Sequence, residues 1–241
     1  MRKMAKLRSR ACYASVVLWC VIAFGLLATA AQKKVAAGSL FAPEKGRFNI
    51  LLDGKSVGHE DFEIAASGGG WTAHGTTSMK PPQGASSTVS GTLTLQPDGV
   101  PMTYEWSSQA EKSNSAHVLF ANGVAKMTLQ LQGARPFEQD LSFSSPLIVV
   151  LDNNLYHQYA VLARVYDWSK RGTQSFPVLI PQELTPGTIT VDSAGAISAE
   201  GKSYEGLKVI TNDLEIVLYL DGTHRLVRME VPAAKVSVVR E

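Results

Sequence analysis

Large apolar residues recur at every second position along most of the chain. Phe48, Ile50 and Leu52 alternate in this way, Asp53-Gly54-Lys55-Ser56 turns the chain, and Val57-Gly58 leads into Phe62 and Ile64, which predicts a β-hairpin. Gly68-Gly69-Gly70 supplies a second turn before a strand over 71–77; no helical pattern follows it, so the glycines serve a turn rather than a phosphate cradle. The alternation is strict in 92–95 and 102–106, on either side of Pro97-Asp98-Gly99. It recurs in 118–120 and 127–132, across Asn122-Gly123. Strands with one dry and one wet face build antiparallel, one-sided sheets.

The stretch 152–172 breaks this period. Leu155, Tyr159, Leu162 and Tyr166 fall at helical spacing, with Asp152 or Asn153 placed to cap the start and Lys170, Arg171 and Gly172 placed to end it. Burying four such side chains contributes roughly 6–12 kcal/mol before ordering entropy is charged, so the helix needs an apolar surface to dock on. Strands then resume over 176–180, 188–191, 206–211, 214–220 and 225–231, the last two across Asp221-Gly222, and end with 236–240. The expectation is ten to fourteen strands and one helix: a mainly β domain, a curved antiparallel sheet or open β-barrel with one amphipathic helix packed against it.

The N-terminus has a different character. Arg2, Lys3, Lys6, Arg8 and Arg10 precede an apolar stretch over 13–31 that contains the small-residue triplet Ala28-Thr29-Ala30. Residues 1–31 therefore read as a signal peptide or an N-terminal signal anchor in contact with the membrane, and 32–46 as a linker. Residues 47–241 read as a single β-rich domain, extracytoplasmic, either periplasmic or secreted, because flanking positive charge holds the N-terminal side in the cytoplasm. Both cysteines, Cys12 and Cys20, fall within that first segment, which leaves the rest without disulfide or thiol chemistry. Five of the 23 Lys+Arg and none of the 21 Asp+Glu precede Ala31, so the remainder carries 18 basic against 21 acidic residues, a net of −3. Such a balance lacks the electrostatic footprint of nucleic-acid binding.

No constellation marks catalysis. There is no nucleophile elbow, and His59, His74, His117, His157 and His224 are scattered one per element, without metal-ligand spacing. His59-Glu60-Asp61 is the densest polar cluster, but neighbours on a strand face opposite ways, so only His59 and Asp61 can converge. Neither a catalytic residue, nor a metal, nor a cofactor is expected. The helix region is rich in amphipathic side chains, namely Tyr156, Tyr159, Arg164, Tyr166 and Trp168, which read first as helix-to-sheet core packing with ring hydroxyls reaching the rim, and second as the lining of a pocket beneath the helix.

The opening 48–64 hairpin with Gly54-Lys55-Ser56-Val57-Gly58, and the closing 214–232 hairpin with Asp221-Gly222, resemble those of a group of uncharacterised secreted bacterial β-rich proteins of unknown function. In outline that group is similar to the periplasmic lipoprotein-carrier superfamily. The resemblance implies a curved antiparallel sheet closed over by helices around a greasy cavity, and it supplies no catalytic residue. The first functional expectation is a non-enzymatic envelope protein that holds a lipid or other hydrophobic small molecule between sheet and helix, lined by Tyr104, Trp106, Leu155, Tyr159, Leu162 and Tyr166. The alternative is a structural or interaction module with a filled core that binds another envelope protein. A hydrolase with an unrecognised site comes third.

Overall fold

The computed structural model describes residues 40–241 except 82–83 and 111–112. The segment read as a signal or anchor, 1–31, lies outside the described residues, as does most of the linker. Among the described residues no helix is long and apolar enough to cross a membrane.

The chain begins as a meander: β1 (Glu44–Leu52), β2 (Lys55–Ser67), β3 (Gly70–Met79), β4 (Ser87–Leu95), β5 (Pro101–Gln109), β6 (Ser113–Ala121), β7 (Val124–Leu131) and β8 (Phe137–Ser142). It crosses to β9 (Val149–Val150), forms the helix α1 (His157–Val165), and returns to β10 (Gln174–Ile180). A second meander follows, through β11 (Thr185–Ala199), β12 (Lys202–Ile210), β13 (Glu215–Leu220), β14 (Leu226–Val231) and β15 (Val236–Arg240). The fifteen strands of the described residues belong to one sheet, in the order β8 down to β1, then β15 down to β9. The first and last long strands make the seam, with Phe48 opposite Arg240 and Leu52 opposite Val236. Every pairing is antiparallel except the short one between β9 and β10. Strands β8 and β9 are the two ends of the order, so the sheet curls without closing. This is the mainly β, open and curved architecture that the alternation predicts.

Turn chemistry sets the hairpins. Asp53-Gly54, Asn122-Gly123 and Glu200-Gly201 each place two successive residues at positive φ, as a type I′ turn requires. The third was not foreseen, because β11 and β12 run through small and polar residues around it that carry no apolar alternation. For the same reason β8, Phe-Glu-Gln-Asp-Leu-Ser, is absent from the predicted strands, whereas β9 is absent because its two valines lie in a short continuous apolar run that has no alternation.

The helix is where the structure corrects the sequence. It spans nine residues, its N-cap is Tyr156 rather than Asp152 or Asn153, and it stops where Tyr166 turns extended. Leu155 and Tyr166 flank it. Lys170 and Arg171 belong to a separate turn closed on Asp167 O, and Gly172 accepts a hydrogen bond from the Tyr166 hydroxyl at 2.6 Å. Nor is the helix one-sided, since His157, Gln158, Ala160, Val161, Leu162 and Ala163 are all buried. A helix buried on nearly every side sits within the core, not on it.

That insertion needs room on the sheet. Gly75 on β3 and Gly91 on β4 are placed where the chain at the helix start comes closest: a Cβ on Gly75 would overlap His157 Nδ1, and one on Gly91 would stand 2.6 Å from Leu155 Cδ1. Both are glycines for want of space. Gly75→Ala is expected to lower unfolding free energy by about 1–3 kcal/mol or more. Urea melts against an alanine replacement at Gly133, where nothing lies within 4 Å but φ is positive, separate this clash from backbone strain.

Candidate functional site

On β2, residues 60, 62 and 64 share one face, and that face is dry: Glu60, Phe62 and Ile64 are all buried. Glu60 thus points its carboxylate into the core, where the start of α1 meets it. Oε2 accepts the backbone N–H groups of Tyr156 at 3.0 Å and His157 at 2.9 Å, and Oε1 lies 2.6 Å from His157 Nδ1. The carboxylate therefore performs the capping that no side chain at the helix start performs, at the end of the helix dipole that favours an anion. The ring's other nitrogen, Nε2, is buried without a hydrogen-bond partner among the described residues.

A second buried carboxylate organises the loop that leads into the helix. Asp152 accepts the Tyr104 hydroxyl at 2.8 Å and the N–H groups of Gln182 at 3.0 Å and Asn153 at 3.2 Å. Its own N–H donates to Gln158 Oε1, and Thr77 donates to Asn154 O. Burial pushes the Asp152 carboxyl up to about 6, only partly offset by these donors, and raises the Tyr104 phenol well above its ordinary value. Glu60, His157 and Gln158 are fully buried and Asp152 is 5% exposed, so this network holds helix to sheet and presents nothing to a substrate.

Of the six residues expected to line a ligand cavity, five take part in the packing of helix and sheet, and Trp106 lines a separate cleft of 490 Å³ with Ser90, Glu105 and His117. Tyr104, Leu155, Leu162 and Tyr166 are at most 1% exposed and Trp106 is 7% exposed, while Tyr159 packs half-buried against the core. Beside Leu93, Leu95, Val161 and Leu162 the space left between helix and sheet is about 10 Å³. One water needs that much, whereas ligand pockets run to about 300–1,000 Å³. A much larger cleft of 520 Å³ opens at the other end of the helix. Its apolar surface comes from Leu40, Leu147, Val165, Phe176 and Trp168, and Arg164, Lys170 and His224 stand among its polar residues.

Trp168 defines that cleft. Its Nε1 donates to Ala163 O at 2.9 Å, its ring stacks on His224 at 3.8 Å and 6°, and Tyr166 meets it edge-on at 5.0 Å. His224 is fixed in turn by Glu205, 2.7 Å from Nε2. Arg164 is held by Glu44 at 3.3 Å and by Thr223 O, and Glu44 is shared with Arg240 of the last strand. Of the six predicted residues only Tyr166 reaches this cleft. Trp168 and Arg164 belong to the amphipathic set of the helix region, but the pocket they line lies beyond the end of the helix and not beneath it. His224, brought in by the β13–β14 turn, carried no signal. Glu60 did carry one, its shared parity with Phe62 and Ile64, whereas His59 and Asp61, the pair that strand geometry allows to converge, lie 3.9 Å apart on the solvated face.

No protein-family profile matches the chain, and no curated protein matches it significantly. Among solved structures it is similar to a β-barrel-like protein of a domain of unknown function, DUF1849, from Brucella abortus, with a TM-score of 0.55 and 11% identity over 83% of this chain and 95% of that one. A DUF1089 family protein from Pseudomonas aeruginosa aligns with a TM-score of 0.46 and 11% identity over 83% and 96% of the two chains. The first likeness is one of fold, and it places the chain beside β-rich proteins of unknown function.

Two outcomes test the buried network. Glu60→Leu leaves His157 and two helix N–H groups without their acceptor and is expected to cost about 3–5 kcal/mol, with Glu60→Gln much milder; chemical denaturation of both checks it. Asp152 has a native value raised above its unfolded one. Its contribution therefore favours the fold at low pH and is lost as pH rises from about 4 through about 6, a change of about 3 kcal/mol. Asp152→Asn should remove that component, so the stability difference between variant and parent should shift toward the variant between pH 4.5 and 7.5; a pH-independent difference would contradict it.

Proposed function

We propose that this chain is a non-enzymatic binding protein that works outside the cytoplasm and takes the apolar part of a ligand, such as an acyl chain or lipid-linked group, into the cleft beyond the C-terminal end of α1. The observation that carries this reading is the contrast between the two spaces, about 10 Å³ under the helix and 520 Å³ at its end. Export is supported by the basic and then apolar N-terminal pattern. A binding role is supported by the burial of the acid–base groups, which reserves Glu60, His157 and Asp152 for structure. The resemblance to lipoprotein carriers fits this reading with one change: here a buried helix occupies what is a greasy cavity in those proteins, and the ligand is left the mouth.

The alternative, a filled-core module for another envelope protein, has the same filled interior in its favour. Fluorescence distinguishes the two, because Trp71 and Trp106 are 4% and 7% exposed while Trp168 is half-buried in the cleft. A brominated fatty acid is expected to quench the protein saturably, and Trp168→Phe to abolish most of that quenching with the fold intact. Quenching that persists in the variant would move the site elsewhere, and none in the parent would favour the interaction module.

A further inference from the structure

An open sheet has two edges, and here they differ. Strand β9 is two residues long, both buried, and is followed by a Leu151 N–H bond to Leu179 O that continues its attachment to β10. Strand β8 is six residues long, is paired only with β7 among the described residues, and is mostly exposed. Its outer backbone groups are thus available to a further strand.

The side chains of β8 specify what that strand must be. Glu138 and Asp140 project from one face, opposite Thr128 and Lys126 of β7. Asp140 reaches Lys126 only at 3.9 Å, with both groups about two-thirds exposed, and Glu138 has no ion pair among the described residues. On the other face Leu141 is buried, while Phe137 stands 46% exposed at the strand's start and Leu131 is 40% exposed at the end of β7. A second copy added antiparallel, in either register that keeps the two faces and pairs all but one residue of the strand, would set Glu138 opposite Asp140 or Asp140 opposite itself. Like charges directly opposite on a sheet face repel. Homodimerisation through this edge is therefore opposed by its own sequence, whereas a basic strand would complete it.

We infer that the free edge of β8 binds an extended segment of a partner protein by strand addition. That segment carries Lys or Arg at alternate positions facing Glu138 and Asp140, and an apolar residue against Phe137. The site is distinct from the cleft by Trp168 and stands or falls separately.

The probe is a fluorescein-labelled peptide of six residues with Lys at alternate positions and Val or Thr between, compared with the same peptide carrying Glu for Lys. Saturable anisotropy with the Lys peptide, weakening as salt rises, and hydrogen-exchange protection of the 137–142 amides are the expected results. The double substitution E138K/D140K, at two exposed positions, is expected to lower Lys-peptide affinity about tenfold or more and to favour the Glu peptide. Equal binding of both peptides, binding of neither, protection confined to other strands, or concentration-dependent dimers in which the same amides are protected would each overturn the proposal.

Discussion

Helix α1 enters the hollow of the sheet by its N-terminal end, and that end carries backbone N–H groups that no preceding turn can satisfy. In water they would be free to find solvent; inside a sheet they need an acceptor brought to them. Glu60 supplies it from the dry face of β2, accepting the N–H groups of Tyr156 and His157 and engaging the His157 ring. The surrounding choices follow from that contact. Gly75 and Gly91 clear the approach, and Asp152, tied to Tyr104 and Gln182, holds the loop that delivers the helix. Burying two carboxylates costs desolvation, which the geometry offsets with five backbone or side-chain donors whose positions leave the helix one way to sit.

The same insertion explains why binding, if it is to occur, belongs at margins. A curled sheet of this size encloses a volume that must be filled or hollow, and α1 fills it together with the flanking Leu155 and Tyr166. Open to solvent are the mouth, where the helix ends and Trp168, His224 and Phe176 meet, and the edge, where β8 has no second neighbour among the described residues. The seam between β1 and β15 is secured separately. Glu44 is shared by Arg240 on the last strand and Arg164 on the helix, and Arg240 also lies 5.1 Å over the Phe62 ring. One acidic side chain thereby links the first strand, the last strand and the helix near the cleft, so the mouth is built on a fixed frame.

Much of the architecture was legible in the sequence because its determinants are local. Period-two alternation identified the central strands, Asp-Gly and Asn-Gly marked hairpin turns, and the break at 152–172 located the helix. Strands lacking an apolar rhythm, β8, β9 and the outer reaches of β11 and β12, escaped for the same reason: their pairing is imposed by neighbours. The helix ends were misplaced because local capping chemistry pointed to Asp152 and Asn153, while the cap in the structure comes from 96 residues away in the chain.

By itself, then, the sequence determined a one-sided antiparallel sheet with a single helix, since strand and turn preferences act between residues a few positions apart. Only the tertiary structure decided that the helix goes inside the sheet rather than over it, that Glu60 and His157 meet, and that a cleft opens beside Trp168 and His224. Those outcomes depend on which side chains of remote elements share a small volume, and on whether the polar groups trapped there find partners. Neither quantity is a property of any one segment.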